Sequence, residues 1–302
     1  MTMKPLLSPR ELAQAIGVSE SSIKRWIDDG LIGATKTAGG HRRIAGSEAI
    51  RFVRESRSIL LRPDVLGLRD LAAVEQDSPA AVDDVDLLFV YLKEGRAPAV
   101  NGLILSLYLG GRSVAEIIDG PVQAALQRIG DLWMKEESGI FWEHRATEIA
   151  IRAVAVLRTL FSPAADAMVA LGGAPAGDPY ILPSMASAAV LESTGLRAVN
   201  LGPDTPIESL MRGVDALQPS LVWLSISVVA EGEKLGREIE RFAKTLSGQG
   251  VPLVLGGSAR ESIDLPPRPG LHIGASMREL EAFAKGLVPS PVRSEPTASQ
   301  SE

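Results

Sequence analysis

Apolar positions follow two rhythms along the chain, and the change falls at Pro163. Before it they recur three or four residues apart, the spacing of one helix face; after it they gather into short runs bounded by Gly or Pro. The first stretch, "LLSPRELAQAIGVSESSIKRWIDDGLI", predicts two short helices. Ser8 stands at an N-cap, Pro9 in the first helical position and Glu11 three residues after the cap, which is a capping box. Leu12, Ala15 and Ile16 make the apolar stripe, Gly17 supplies a tight turn, and Ser19 caps a second helix whose Ile23, Trp26 and Ile27 pack against the first. "GLIGATKTAGGHRRI" then gives two extended runs around Gly39-Gly40, a β-hairpin wing tipped with His41, Arg42 and Arg43.

Residues 63–82, rich in Pro, Ala and Asp, read as a linker with room for one short helix. Four amphipathic patterns follow within residues 83–163: "DVDLLFVYLKEG", "PAVNGLILSLYLGG", "VAEIIDGPVQAALQRIGDLWMKEE" and "WEHRATEIAIRAVAVLRTLF". With short connections they predict a four-helix bundle. From 164 to 287 the runs "AMVALGGA", "LRAVNLG", "LVWLSISV", "PLVLGGS" and "LHIGA", most of them separated by helical patterns, predict a doubly wound parallel sheet of Rossmann-like type. The fold class is therefore multidomain α and α/β: a winged helix-turn-helix over residues 1–62, a bundle and a C-terminal sheet domain. Residues 288–302 hold too little apolar surface to fold and are expected to be disordered.

Composition narrows the function. The 302 residues include no Cys, which excludes disulfides, thiolate metal sites and Cys nucleophiles. No apolar run reaches the 18 residues of a membrane span, so a cytoplasmic protein with no membrane partner is expected. The net charge of −6 conceals an asymmetry: residues 1–62 carry eleven Lys or Arg against six Asp or Glu, a balance of +5, leaving −11 on the rest. A basic head on an acidic body points to a polyanion met by the head alone. The exposed face of the second helix offers Ser21, Ser22, Lys24 and Arg25 for base edges and phosphates, with His41, Arg42 and Arg43 on the wing. Double-stranded operator DNA is the expected partner, and replacing Arg42 and Arg43 should weaken its binding. One winged helix buries too little surface for strong affinity, so a homo-oligomer, dimer or tetramer, is expected.

"IGVSESSIKRWIDDGLI" followed by "TAGGHRRI" resembles the winged helix-turn-helix of the MerR family of transcription regulators. Over residues 8–287 the chain resembles the members of that family that carry a cobalamin-binding module and sense light through adenosylcobalamin, the CarH/LitR type. Trp133, nine intervening residues and then Glu143-His144 match a motif that in those proteins covers the adenosyl face. "LGPDTP" matches their second strand and turn. Ser225 to Ser227 and Gly256-Gly257 match the small-residue positions along which the nucleotide tail of the corrinoid threads. Read without the resemblance, Trp133 is a core residue, Glu143 and His144 are cap and surface residues, and the two glycines end a strand.

The resemblance fails at the metal. The family pattern Asp-x-His-x-x-Gly places a histidine on cobalt and an aspartate that orients it; here the stretch reads Asp178-Pro179-Tyr180-Ile181-Leu182-Pro183. A neutral phenol is a poor substitute for imidazole. Met134 stands where light-sensing members have a second histidine. The expectation is a non-enzymatic, light-independent regulator with a degenerate sensor that has no cofactor, or takes an apolar or tetrapyrrole-like ligand; the alternative is an adenosylcobalamin-responsive regulator with altered cobalt coordination. A corrinoid-carrying enzyme subunit is disfavoured because no catalytic domain accompanies the DNA reader, and an antirepressor acting through the bundle is a further reading. Trp223 and the "ILPSM" stretch, Ile181–Met185, are candidate fillers of the cleft.

Overall fold

The computed structural model describes residues 3–75, 83–133, 139–229 and 231–288. In the head, β1 (Leu6–Leu7) leads into α1 (Pro9–Ile16) and α2 (Glu20–Asp28), followed by β2 (Thr35–Lys36), β3 (Arg42–Ala45) and α3 (Gly46–Ser56). Both predicted caps form: Ser8 and Glu11 make the reciprocal capping box, and the Ser19 side chain accepts from Ser22 N–H. Gly17 closes α1 in the left-handed region at φ 73°, a conformation glycine adopts without strain. The wing strands pair antiparallel with Lys36 opposite Arg42. β1 and α3 were not anticipated. β1 completes a three-stranded sheet, and α3 sets Phe52 against Trp26 with ring centroids 5.2 Å apart.

The expected linker is packed structure over the part that is described. Two 3-10 turns, Pro63–Leu66 and Arg69–Leu71, precede α4 (Ala72–Glu75). Leu66 and Leu68 are buried, so the segment is held by the apolar area it removes from water. Residues 76–82 and the tail from 289, with the disorder expected there, lie outside the described residues.

The bundle comprises α5 (Asp84–Glu94), α6 (Ala97–Leu109), α7 (Val114–Ile117), α8 (Gln123–Trp133) and α9 (Gly139–Arg158). The third sequence pattern is thus two helices rather than one. Between them Ile118–Val122 forms a π-turn in which Gly120 leaves helical geometry at φ −97°, ψ −105° and Pro121 follows it. Proline cannot donate to the helix ladder, and the extra residue of the π-turn absorbs the break. Arg54 of α3 ties the head to the bundle: its guanidinium donates to the carbonyl of Tyr108 in the last turn of α6 and to those of Gly111 and Arg112 just beyond it, and stacks 4.2 Å over the Tyr108 ring. A cation at a helix C-terminus satisfies orphan carbonyls and complements the helix dipole. Burial raises the Tyr108 hydroxyl pKa.

The C-terminal sheet comprises β4 (Val169–Gly173), β5 (Arg197–Asn200), β6 (Leu221–Ser225), β7 (Leu253–Gly256) and β8 (Leu271–Ile273), all parallel in the order β5-β4-β6-β7-β8. Its helices are α10 (Leu182–Ser193), α11 (Ile207–Leu217), α12 (Gly232–Gly248) and α13 (Met277–Leu287). Strand residues alternate between two cores. Leu171, Val222, Leu224 and Leu255 pack with residues of α11 and α12, whereas Ala170, Trp223 and Val254 belong to a core shared with α10, α13, the bundle and the head. Arg158 of α9 grips Glu192 of α10 through two bonds of 2.8 and 2.6 Å. Asp119 in the π-turn accepts from the N–H groups of Met277 and Arg278, both at 2.9 Å, at the start of α13. Among the described residues no helix is long and apolar enough to cross a membrane.

Candidate functional sites

On the head, Ser21, Lys24 and Arg25 are exposed along α2 and His41 is exposed at the wing tip. Ser22 is half-buried and its hydroxyl lies 2.9 Å from that of Ser19. The wing folds onto α2 through Arg42, whose guanidinium donates to the Lys24 carbonyl at 2.9 Å and to Asp28 Oδ1 at 2.7 Å. Arg42 is therefore a strut that fixes the angle between helix and wing, while Arg43 next to it is half-buried. Lys24 forms an ion pair with Glu20 at 2.8 Å, an exposed pair of small strength. Lys36, exposed and directly opposite Arg42 on the hairpin, joins this surface. Sequence reasoning passed over it because it precedes the wing tip.

The second site lies toward the carboxyl ends of β6 and β7, beside the point where strand order reverses between β4 and β6, the region in which open α/β sheets hold their ligands. A cavity of about 600 Å³ opens there between α8 of the bundle and the sheet domain. Ser225, Ser227, Gly256 and Gly257 line it, together with Trp223, Ser187 of α10 and Arg260. Gly257 has φ +101°, and a Cβ there would overlap the Ile226 backbone, so only glycine lets the ends of β6 and β7 approach this closely. The expected fillers leave the cavity open. Leu182 and Pro183 form part of its wall, Ile181 is exposed, and Ser184 is buried with its hydroxyl 2.6 Å from Asn200 Oδ1.

Asp178 and Tyr180 take separate positions. Asp178 is fully buried; its carboxylate accepts from the N–H of Ser227 at 2.6 Å, Val228 at 3.4 Å and Tyr180 at 3.1 Å. It clips the loop after β4 to the end of β6. The Tyr180 side chain is 49% exposed and does not line the cavity. On the bundle, His144 is exposed on α9 with Nε2 3.4 Å from Glu143 Oε2, and Glu143 also accepts from Thr147 at 3.0 Å. Neither lines the cavity. Trp133 ends α8, its side chain lies outside the described residues, and so does Met134. His272 packs against Phe283 with ring centroids 4.4 Å apart and planes tilted by 50°. The residues fit a ligand limb lodged between strands and helices; they do not fit a corrinoid held through a protein imidazole. Asp119, Ser187 and Arg260 were missed because folding alone assembles them.

Comparison with known families matches residues 6–57 to a helix-turn-helix domain and residues 72–158 to a B12 binding domain. The chain thus joins a helix-turn-helix domain to a B12-binding domain. No curated protein matches it. Among solved structures it is similar to a cobalamin-binding protein from Desulfitobacterium hafniense DCB-2, with 16% identity over 69% of this chain and 100% of that one and a TM-score of 0.34. The monomethylamine corrinoid protein of Methanosarcina barkeri gives 16% identity, 67% and 96% coverage and a TM-score of 0.47. The methanol:cobalamin methyltransferase complex of the same organism gives 16%, 71% and 83%, and 0.33.

Proposed function

We propose that the protein is a MerR-type, sequence-specific transcription regulator, active as an oligomer, whose sensor module takes a tetrapyrrole-like ligand without ligating its metal and without a response to light. The observation that carries this reading is the pairing of Asp178 with Tyr180. The carboxylate that would orient an axial imidazole is engaged by three backbone N–H groups, and the side chain two residues on is a phenol turned partly to solvent. The cavity behind them remains, lined by Ser225, Ser227, Gly256 and Gly257. DNA contact rests on Ser21, Lys24, Arg25 and His41 together with Arg43, with Arg42 holding helix and wing in register. An alternative, an adenosylcobalamin-dependent light switch, draws support from the B12 binding domain match over residues 72–158.

The two readings part in one experiment. The protein is incubated with adenosylcobalamin in the dark, its visible spectrum is recorded, and gel shifts on a duplex selected by the protein itself are run before and after illumination. The expected outcome is a spectrum without imidazole coordination and a gel shift unchanged by light. Light-dependent release of DNA would return the chain to the photoreceptor class.

A further inference from the structure

The two helical layers of the sheet differ in what covers them. α10 and α13 share one apolar core with the bundle and the head, whereas α11 and α12 close a second core that no residue of head or bundle joins. A groove of about 410 Å³ runs between α11 and α12. Buried Ile207 and Phe242 form part of its wall, and Met211 is 38% exposed at its side. Four charges line the same groove: Glu208 of α11, and Glu238, Arg241 and Lys244 of α12. Glu238 is half-buried and the other three are exposed. The remaining charges of α12 are paired within the chain, Lys234 with Glu231, Arg237 with Glu233 and Glu240 with Arg268. The four of the groove form no ion pair among the described residues, although Glu238 and Arg241 stand one turn apart on a single helix.

Two acids against two bases leave this groove neutral in an acidic body. A polyanion would be repelled by the carboxylates, and a peptide of one charge sign would meet two groups of its own kind. A surface that carries both signs complements itself when a two-fold axis sets acid against base, because an isologous contact presents the same patch from both sides. We infer that the α11–α12 face is the surface on which two copies of this chain associate, with the carboxylates of one groove against Arg241 and Lys244 of the other and Met211 in the apolar centre, where a flexible thioether fills irregular space. The inference gives a surface to the oligomer proposed above and rests on that reading. It joins the copies on the side of the sheet away from the bundle.

Sedimentation of the full chain tests it. Glu208→Lys with Glu238→Lys makes the groove wholly basic, and Arg241→Glu with Lys244→Glu makes it wholly acidic. Wild type is expected to sediment as a dimer or as a larger assembly of dimers. Each variant alone is expected to associate about 10- to 100-fold more weakly, and an equimolar mixture of the two to recover the wild-type species. Misfolding cannot produce that recovery. Circular dichroism checks folding, and Met211→Arg, a change at an exposed position, replaces either variant that fails to fold and is expected to weaken association likewise. Variants that associate as wild type does, or a mixture that stays apart, overturn the surface and leave the oligomer reading standing. Wild type that is monomeric at about 100 µM overturns both. Association lost in each variant and restored by mixing upholds the surface whether or not the protein shifts DNA in a gel.

Discussion

Lys24, Arg25 and His41 stand in solvent on the head, whereas Asp178, Ser184, Ser187 and Ser225 of the sheet domain are buried and bonded to backbone, to the Asn200 side chain or to one another. The two regions use polar groups under different dielectric conditions. A charged surface that meets DNA gains from many contacts screened by water and salt, so each residue contributes a modest, salt-dependent share. A polar group inside the sheet edge depends on its partners being in place, since a donor left unpaired there incurs its full desolvation penalty. Single substitutions should therefore act gradually on the head and abruptly in the sheet domain.

The largest effect is expected at Asp178. Asp178→Ala removes the acceptor for the N–H groups of Tyr180, Ser227 and Val228, and should lower the unfolding free energy by about 2–4 kcal/mol. Asp178→Asn, which keeps one acceptor oxygen, should cost less. Urea denaturation of both variants checks this, and a loss under about 1 kcal/mol for the alanine variant would break the contrast between the regions.

On the head, replacing Arg25 and Arg43 together with Ala should weaken binding to a selected operator by about 10- to 100-fold and lower the salt slope by about 2. Arg42→Ala releases the strut to Lys24 and Asp28, so it should reduce affinity with little change in that slope. Gel shifts across a salt series distinguish the outcomes. An Arg42→Ala slope lowered by about 1, half the change of the double variant, would show that Arg42 leaves Asp28 to contact phosphate.

The smallest effect concerns acid. The Glu11 carboxyl is lowered from its ordinary 4.5 to about 2, first by the hydrogen bond from Lys4 and next by the Ser8 N–H. A lowered folded-state pKa stabilises the head above the unfolded value of 4.5 and loses that contribution as pH falls through about 2. Glu11→Gln should flatten the acid limb of the stability curve by a small amount, because the group is partly exposed. Circular dichroism between pH 5 and 2 reads it; identical curves would mean that the capping box carries no charge dependence.

Much of the head could be read from the chain because its signals are local. Ser8, Pro9, Glu11, Gly17 and Ser19 each act within four residues, and every one occupies the position its chemistry predicts. The three central parallel strands were equally legible, since a strand buried on both faces leaves an apolar run such as "LVWL"; the partly exposed edge strands β5 and β8 were legible from the Gly and Pro residues that bound their short runs. The missed β1 is two residues long, too short to leave a period of its own. The π-turn at Gly120-Pro121 was hidden inside a pattern whose apolar spacing continues across it.

What the sequence determined by itself is the order of modules, the caps and turns, the strand grammar, and the presence of a phenol, Tyr180, two places after Asp178. The tertiary structure decided what pairs across long separations. It turned Arg42 back onto Asp28, set Arg54 on the end of α6, and joined Asp119 to α13 across 158 residues of chain. It also buried the Trp223 N–H without an acceptor among the described residues. Local propensity acts within one or two helical turns, so it fixes caps and periodicity; a guanidinium or an indole finds its partner only where packing brings distant backbone within hydrogen-bond reach.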